Sequence, residues 1–337
     1  MAITSHDVAR LAGVSQPTVS RALRGDPRVA ADTRARIESA VQALGYIPSE
    51  AGRNLVTQTT RRIGIVVSDL TNPFYPYLLG PLHDTLAAHG YRMMVFTERS
   101  DTELPMEQFG DGSVDGVVLL TSDIDSSLPH ELTRRAIPFV FLNRESGRGL
   151  GDAAVVDNEL GGRLAAEHLT AAGHRRIAAI MGPDNTSTGH DREIGFRLAL
   201  ADHAIAVPSD LTRHGPFEYE TGFSAAVELL RLTPPPTAIF CGNDVIAIGA
   251  INAAAAIGVR IPDDLSVIGF DDVSMASWPV FRLTTIGHDL QAMAATAAEL
   301  LVSRLASKAS EPPRRVTLQP KLVERDTVSR PNPRLHT

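Results

Sequence analysis

Residues 4–23 read TSHDVARLAGVSQPTVSRAL, and this stretch decides how the chain begins. Its spacing predicts two short helices joined by a tight turn. Thr4 and Asp7 stand three apart as a capping box, which satisfies free amides at a helix start. Val8, Leu11 and Ala12 are placed on one face of the first helix. Gly13 follows, where a residue must turn left-handed to end it. Ser15 is placed to cap a second helix, in which Pro17 is tolerated because the first turn has no amide to donate inward. Val19, Ala22 and Leu23 recur at helical spacing toward the first helix, which leaves Gln16, Pro17, Ser20 and Arg21 facing outward.

That outward set has the chemistry of a DNA-recognition helix. Arg forks onto guanine O6 and N7, Gln pairs with adenine, and a Pro ring packs on a thymine methyl. Thr18 and Ser20 are sized to hold phosphate oxygens, which fixes register without reading sequence. Thr4, Ser15 and Arg24 complete the DNA-contacting set expected here. The bland alternative is any small helical hairpin with a polar face. Gly at the turn and Ser at the second cap favour a helix-turn-helix.

At 337 residues the chain is too long for one small domain, and a 43% hydrophobic fraction is ample for buried cores. One cysteine, Cys241, excludes an internal disulfide and points to a reducing compartment. Within TAIFCGN it reads as a buried, inert thiol. No apolar run approaches a membrane span, and MAITSHDVARL lacks the basic and apolar regions of a secretory signal. A cytoplasmic protein with no membrane partner is expected. The net charge of -7 is unevenly spread: residues 1–62 hold nine Arg and five Asp or Glu, a net +4, which leaves -11 for the remainder. A basic head on an acidic body directs the head to phosphate and repels the body from it.

A third helix is predicted over 32–44, with Ile37, Ala40, Val41 and Leu44 as its apolar stripe and Gly45 ending it. Three such helices make a bundle whose core is marginal alone. Residues 49–60, SEAGRNLVTQTT, read either as a flexible linker or as a helix that forms only on DNA; Gly52 lowers intrinsic helicity by about 1 kcal/mol relative to Ala. From residue 61 the pattern changes. RRIGIVVSDL, YRMMVFT, DGVVLLTS, IPFVFLNR, AAVVDN, RRIAAIMG, TAIFCGN and LSVIGFDD read as strands, with helices over 75–89, 159–172, 192–203, 220–232 and 244–257. Such alternation implies doubly wound parallel sheets with right-handed crossovers. There are too many strands for one unit, so two similar α/β lobes are expected, with ligand sites at the carboxyl ends of strands.

Residues at those ends are Asn72, Phe74 and Tyr75, then Asn143 and Arg144, then Arg192, Phe217, Asn243 and Asp271. Amides, a carboxylate, guanidinium groups and aromatic faces together suit a polyhydroxylated small molecule. Singly, each has a plainer reading: Asn72 and Asp244 as helix caps, Asp272 as a turn residue. Gly147, Gly149 and Gly151 resemble part of a nucleotide loop, but the spacing departs from GxGxxG and a strand follows. The eleven His lack metal-ligand spacing, so no metal or cofactor is expected. The Arg pairs at 61–62, 134–135, 175–176 and 314–315 read as solvated ends of strands.

The opening motif and the two-lobed body together resemble the lac repressor (LacI/GalR) family of bacterial transcription regulators. Carrying the resemblance are DVARLAGVSQPTVSRAL, YIPSEAGRNL, RRIGIVVSDLTNPFY, RxxGF at Arg192 to Phe196, FCGNDVIAIGA, IPDDLSVIGFDD, LTTI and LVERDTV, an ordered set spanning nearly the whole chain. The resemblance implies a helix-turn-helix headpiece over 1–48, a hinge over 49–60, an effector-binding and dimerisation core like periplasmic sugar-binding proteins over 61–330, and a tail over 331–337. One core lobe takes about 61–157 and 289–317, the other about 158–288 and 318–330. It implies that Gln16, Pro17 and Arg21 read bases in the major groove, that Leu55 wedges into the minor groove with Arg53 beside it, and that His288 joins the effector set. The partners implied are operator DNA, a second copy of the chain and a sugar or sugar-acid effector. Departures are His288 where Gln is common, which implies hydrogen bonding that differs there or depends on pH, Ala30 where a Ser caps the third helix, Gly52 where Ala is common, and Phe281 at a usual Pro position. No apolar heptads follow LVERDTV, so a dimer is expected.

Two rivals share parts of this pattern. A transport sugar-binding protein would have the same fold from residue 61, but the basic helical head argues against it. An α/β enzyme would need a phosphate loop or an acid–base pair after a strand; Arg192 and Asp271 mimic one, but binding explains them more simply.

Overall fold

The computed structural model describes residues 3–47, 59–68, 70–97, 109, 112–147, 149–206, 208–307 and 311–331. It divides into two compact units, Met1–Thr60 and Arg61–Thr337.

The first unit holds α1 (Ser5–Ala12), α2 (Gln16–Leu23) and α3 (Ala31–Leu44). The Asp7 carboxylate accepts from the Thr4 backbone amide at 3.0 Å and from its hydroxyl at 2.8 Å, so the expected box is formed. Gly13 and Gly45 end α1 and α3 in the left-handed region, at φ 63° and 60°. Val8, Ala9, Ala12, Val19, Ala22, Ile37 and Ala40 form the core. Leu11 is a correction: it is 56% exposed, and Ala9 takes the buried place assigned to it. The short α1 touches both other helices, so its buried face centres on Val8, Ala9 and Ala12. The Ser15 cap also differs. Ser15 occupies the N-cap, but its hydroxyl pairs with the Thr18 hydroxyl at 2.8 Å rather than with a backbone amide. Ala30 caps α3 without a side-chain bond. Arg36 reaches back from α3 and donates to the Ala12 carbonyl at 2.6 Å, satisfying an orphan acceptor at the end of α1.

The second unit is built on two six-stranded sheets. Its strands are β1 (Arg62–Val67), β2 (Arg92–Thr97), β3 (Gly116–Leu119), β4 (Phe139–Leu142), β5 (Asp152–Val156), β6 (Ile177–Met181), β7 (Thr212–His214), β8 (Ala238–Cys241), β9 (Ser266–Asp271), β10 (Thr284–Gly287), β11 (Arg315–Leu318) and β12 (Lys321–Val323). The first sheet runs β11-β5-β4-β3-β1-β2, all parallel; the second runs β12-β10-β9-β8-β6-β7, with β12 antiparallel. Inner strands such as IGIVV, FVFL and IAAIM are continuously apolar because helices cover both faces. β2 lies on an edge and is only half buried.

The helices are α4 (Tyr75–Ala88), α5 (Leu128–Arg134), α6 (Asn158–Ala171), α7 (Ser187–Asp202), α8 (Tyr219–Leu230), α9 (Asp244–Ala256) and α10 (Leu290–Ala306). Most match their expected spans within two residues. α7 begins five residues before the expected 192, because Thr186 caps it by accepting from Gly189 N at 3.1 Å. β7, β10, β11, β12, α5 and α10 are additional to the elements the sequence patterns predict. In β10, Thr284 and Thr285 are fully buried, and a hydropathy pattern misses them. Arg325 N donates to the Thr284 hydroxyl at 2.9 Å, and Thr285 donates to Asp244 at 2.6 Å.

The Arg pair at 314–315 is a second correction. Buried Asp152 is clamped by Arg304 Nη2 at 2.5 Å and Arg314 Nη2 at 2.8 Å, and Arg315 pairs with Glu145 at 3.0 Å. Burial raises the Asp152 carboxyl, but bonds from Arg314 and Arg304 outweigh it and hold it low. These arginines bind the edge strand β11 to β5 and α10.

Candidate functional site

Within the second unit the chain passes between the sheets three times, near 157, 288 and 320. A cleft lies at the carboxyl ends of the strands. Asn72, Phe74 and Tyr75 reach it after β1, Asn143 and Arg144 after β4, Phe217 after β7, Asn243 after β8, and Asp271 at the end of β9; Arg192 enters from α7. Nine of the ten expected effector positions therefore line one cleft. Thr188 lines it as well and was missed. It stands one helical turn before Arg192, on the same face, and that spacing was the available signal.

The backbone adopts unusual conformations to aim these groups. Asn143 and Asp271 have φ of 74° and 105°. Asn72 does not cap α4. Its Oδ1 accepts from Phe74 N at 2.9 Å, while its Nδ2 donates to the Phe217 carbonyl at 2.8 Å, joining the two lobes. Asn243, not Asp244, caps α9 by accepting from Ile246 N at 2.9 Å. Asp244 instead turns inward, where its carboxyl receives Val273 N and the Thr285 hydroxyl. Burial, together with the neighbouring Asp271, raises the Asp244 carboxyl well above the ordinary carboxylate range, while the bonds from Thr285 and Val273 oppose that rise.

Arg192 is the centre of the site and is almost fully buried. Its Nε donates to Asn158 Oδ1 at 2.9 Å, Nη1 to the Gly242 carbonyl at 2.7 Å, and Nη2 to Asp271 Oδ1 at 2.9 Å. Its guanidinium carbon lies 3.7 Å from the Phe270 ring centroid. Burial raises the Asp271 carboxyl, and the Arg192 charge opposes that rise. Arg192 is brought here by close helix packing: a Cβ at Gly195 would collide with the Glu159 carbonyl, and one at Gly162 with that of Arg192. A Cβ at Gly182 would likewise strike the Phe217 ring.

His288 departs from expectation. It is buried 6.1 Å from Phe270, ring centre to ring centre, and is not among the residues lining the cleft. Neither ring nitrogen has a hydrogen-bond partner among the described residues. Burial, with the Arg192 charge nearby, pushes the imidazole down to about 3, so it stays neutral through the physiological range and the expected pH dependence there is not supported. Among the described residues no cluster of three or more His, Cys, Asp or Glu is arranged to hold a metal ion. Cys241 is fully buried, and burial pushes its thiol up, away from nucleophilic use.

In the first unit, Pro17 and Arg21 are exposed on α2, while Gln16, Thr18 and Ser20 are half-buried. Gln16 Nε2 donates to the Ser5 hydroxyl at 3.3 Å. Arg24 is exposed and donates to the Ser20 carbonyl at 3.0 Å. Thr4 and Ser15 sit exposed at the starts of α1 and α2. Arg53 and Leu55 lie outside the described residues.

Comparison with known proteins agrees with both units. A profile described as "Bacterial regulatory proteins, lacI family" matches residues 4–49, and one described as "Periplasmic binding protein-like domain" matches 166–328. The HTH-type transcriptional regulator CelR of Thermobifida fusca is 34% identical over 331 residues, 95% of this chain and 96% of that protein. A solved CelR–cellobiose complex superposes with a TM-score of 0.74 at 31% identity, over 96% of this chain and 99% of that one. The lac repressor dimer bound to operator and the anti-inducer ONPF gives 0.85 at 27% identity, over 98% and 100%. This chain belongs to the lacI family of bacterial regulatory proteins. The family is one of helix-turn-helix transcriptional regulators rather than enzymes. No described helix is long and apolar enough to cross a membrane.

Proposed function

We propose that this protein is an effector-controlled transcriptional repressor that binds a palindromic operator as a homodimer. Two copies of α2 enter successive major grooves, with Gln16, Pro17 and Arg21 toward base edges. Residues 49–60 act as the hinge, with Leu55 as a minor-groove wedge. A sugar or sugar acid in the cleft shifts the angle between lobes and thereby the grip on DNA, by whatever difference in affinity it has for the two arrangements. The observation that carries this reading is the convergence of amides, guanidinium groups, a carboxylate and aromatic rings on one cleft, in a chain whose basic head is a helix-turn-helix.

Selection of duplexes from a randomised pool by the full chain, followed by titration with sugars, tests it. A recovered palindrome whose affinity changes on adding one sugar supports the reading. Equal affinity for random and selected duplex at moderate salt, with and without sugars, refutes it.

A further inference from the structure

The cleft lining carries two guanidinium groups and one carboxylate. Arg192 is fully engaged, and its charge is matched by buried Asp271 at 2.9 Å. Arg144 is not. It is 9% exposed, and its buried Nε has no hydrogen-bond partner among the described residues. Among the described residues no carboxylate forms an ion pair with it; Asp123, which accepts from Asn185 Nδ2 at 3.2 Å, and Asp271 act on it only through their charges, without a direct contact. The Arg144 guanidinium carbon stands 5.2 Å from the Phe217 ring centroid, and that of Arg192 stands 5.9 Å from the same centroid. One ring quadrupole thus serves two cations, and the one carboxylate on the cleft lining, Asp271, is already paired with Arg192. A cation withdrawn from water is strongly destabilising until it is paired and hydrogen-bonded.

Beside Arg144, the Oδ1 of Asn143 is also buried without a partner among the described residues. A neutral polyol satisfies such an amide through a hydroxyl and leaves the Arg144 charge unmatched. A polyol bearing an acid group satisfies both. We infer that the ligand of this cleft is an anionic sugar derivative, a polyhydroxylated carboxylate or phosphate ester, whose acid oxygens are received by Arg144 and whose hydroxyls are received by Asn143. This rests on the effector reading proposed above. The planar guanidinium fork fits carboxylate and phosphate alike.

The test is calorimetric titration of the full chain with matched series: glucose, galactose and mannose, each against its hexuronate and its 6-phosphate, and cellobiose against cellobionate. In at least one series an acid member binds roughly tenfold or more tighter than its neutral parent. That preference shrinks at raised ionic strength, is lost in Arg144→Gln, and is partly kept in Arg144→Lys. The carboxylate and phosphate arms identify the acid. A neutral parent that binds as tightly as its acids, or a preference that Arg144→Gln leaves intact, overturns the inference while the effector reading stands. Failure of every member to bind removes the sugar reading and the inference with it. Should Arg144→Gln not fold, the wild-type preference and its salt dependence decide the matter alone.

Discussion

The side-chain amide of Asn72 donates to the main-chain carbonyl of Phe217 at 2.8 Å, tying the end of β1 in one sheet to the loop after β7 in the other. Ile124 N to the Asn185 carbonyl at 2.8 Å and Glu145 N to the Ser187 hydroxyl at 3.1 Å make further ties between the lobes. A net hydrogen bond contributes about 1 kcal/mol. Asn72→Ala should therefore open the ligand-free core measurably, seen as a larger radius of gyration by small-angle scattering. It should also weaken cleft binding roughly fivefold. An unchanged radius and affinity would show that this bond does not hold the lobes together.

Arg192 and Asp271 form a buried pair in which neither member has water to fall back on. Arg192→Met strands the carboxylate and leaves the Asn158 amide and Gly242 carbonyl without their donor. A loss of about 3–5 kcal/mol in urea unfolding of the core is expected. Adding Asp271→Leu should recover much of it, since an apolar pair of similar volume is often neutral. No recovery in the double variant would mean that the cost lies in the packing of the guanidinium on Phe270 instead.

His288 sets an acid limit on stability. The unfolded imidazole takes a proton near pH 6.5, whereas the buried one takes it only at about 3. The folded value is depressed, so the contribution is present above pH 6.5 and is lost as pH falls toward 3. Between pH 7 and 5 the loss should be about 2 kcal/mol. Comparing urea midpoints of wild type and His288→Gln at both pH values isolates it. Parallel pH slopes in the two proteins would exclude His288 as the source.

Arg21 and Arg36 in the first unit should separate recognition from stability. Arg21 is exposed on α2, and Arg21→Ala should relax preference at one base pair by ~1–3 kcal/mol without changing the melting of the headpiece. Arg36 donates to the Ala12 carbonyl, and Arg36→Ala should lower headpiece stability by about 1 kcal/mol with base preference unchanged. Selection profiles and thermal melts of the two variants check both. A converse result would reverse the assignment of the two arginines.

Much of this was legible because the patterns are local. The capping box at Thr4 and Asp7, the glycine ends of α1 and α3, and the unbroken apolar strands each follow from spacing within a few residues. Leu11 was misplaced because three-helix contact, rather than α1 alone, chooses the buried face. β10 was missed because buried threonines hide in a hydropathy pattern while their hydroxyls are paired across 41 residues. The plainer reading of Asp244 as a cap fails because its partners lie 29 and 41 residues away.

From residue order alone came the helical head, the two wound sheets, and the side chains that stand at strand ends, since backbone preference and apolar periodicity act between near neighbours. Which of those side chains is satisfied was left to the folded chain. Arg192 is matched, Arg144 is not, and His288 is buried and neutral and does not line the cleft. Charge pairing and burial depend on groups tens to hundreds of residues apart, and only the closed tertiary arrangement brings them within hydrogen-bond reach.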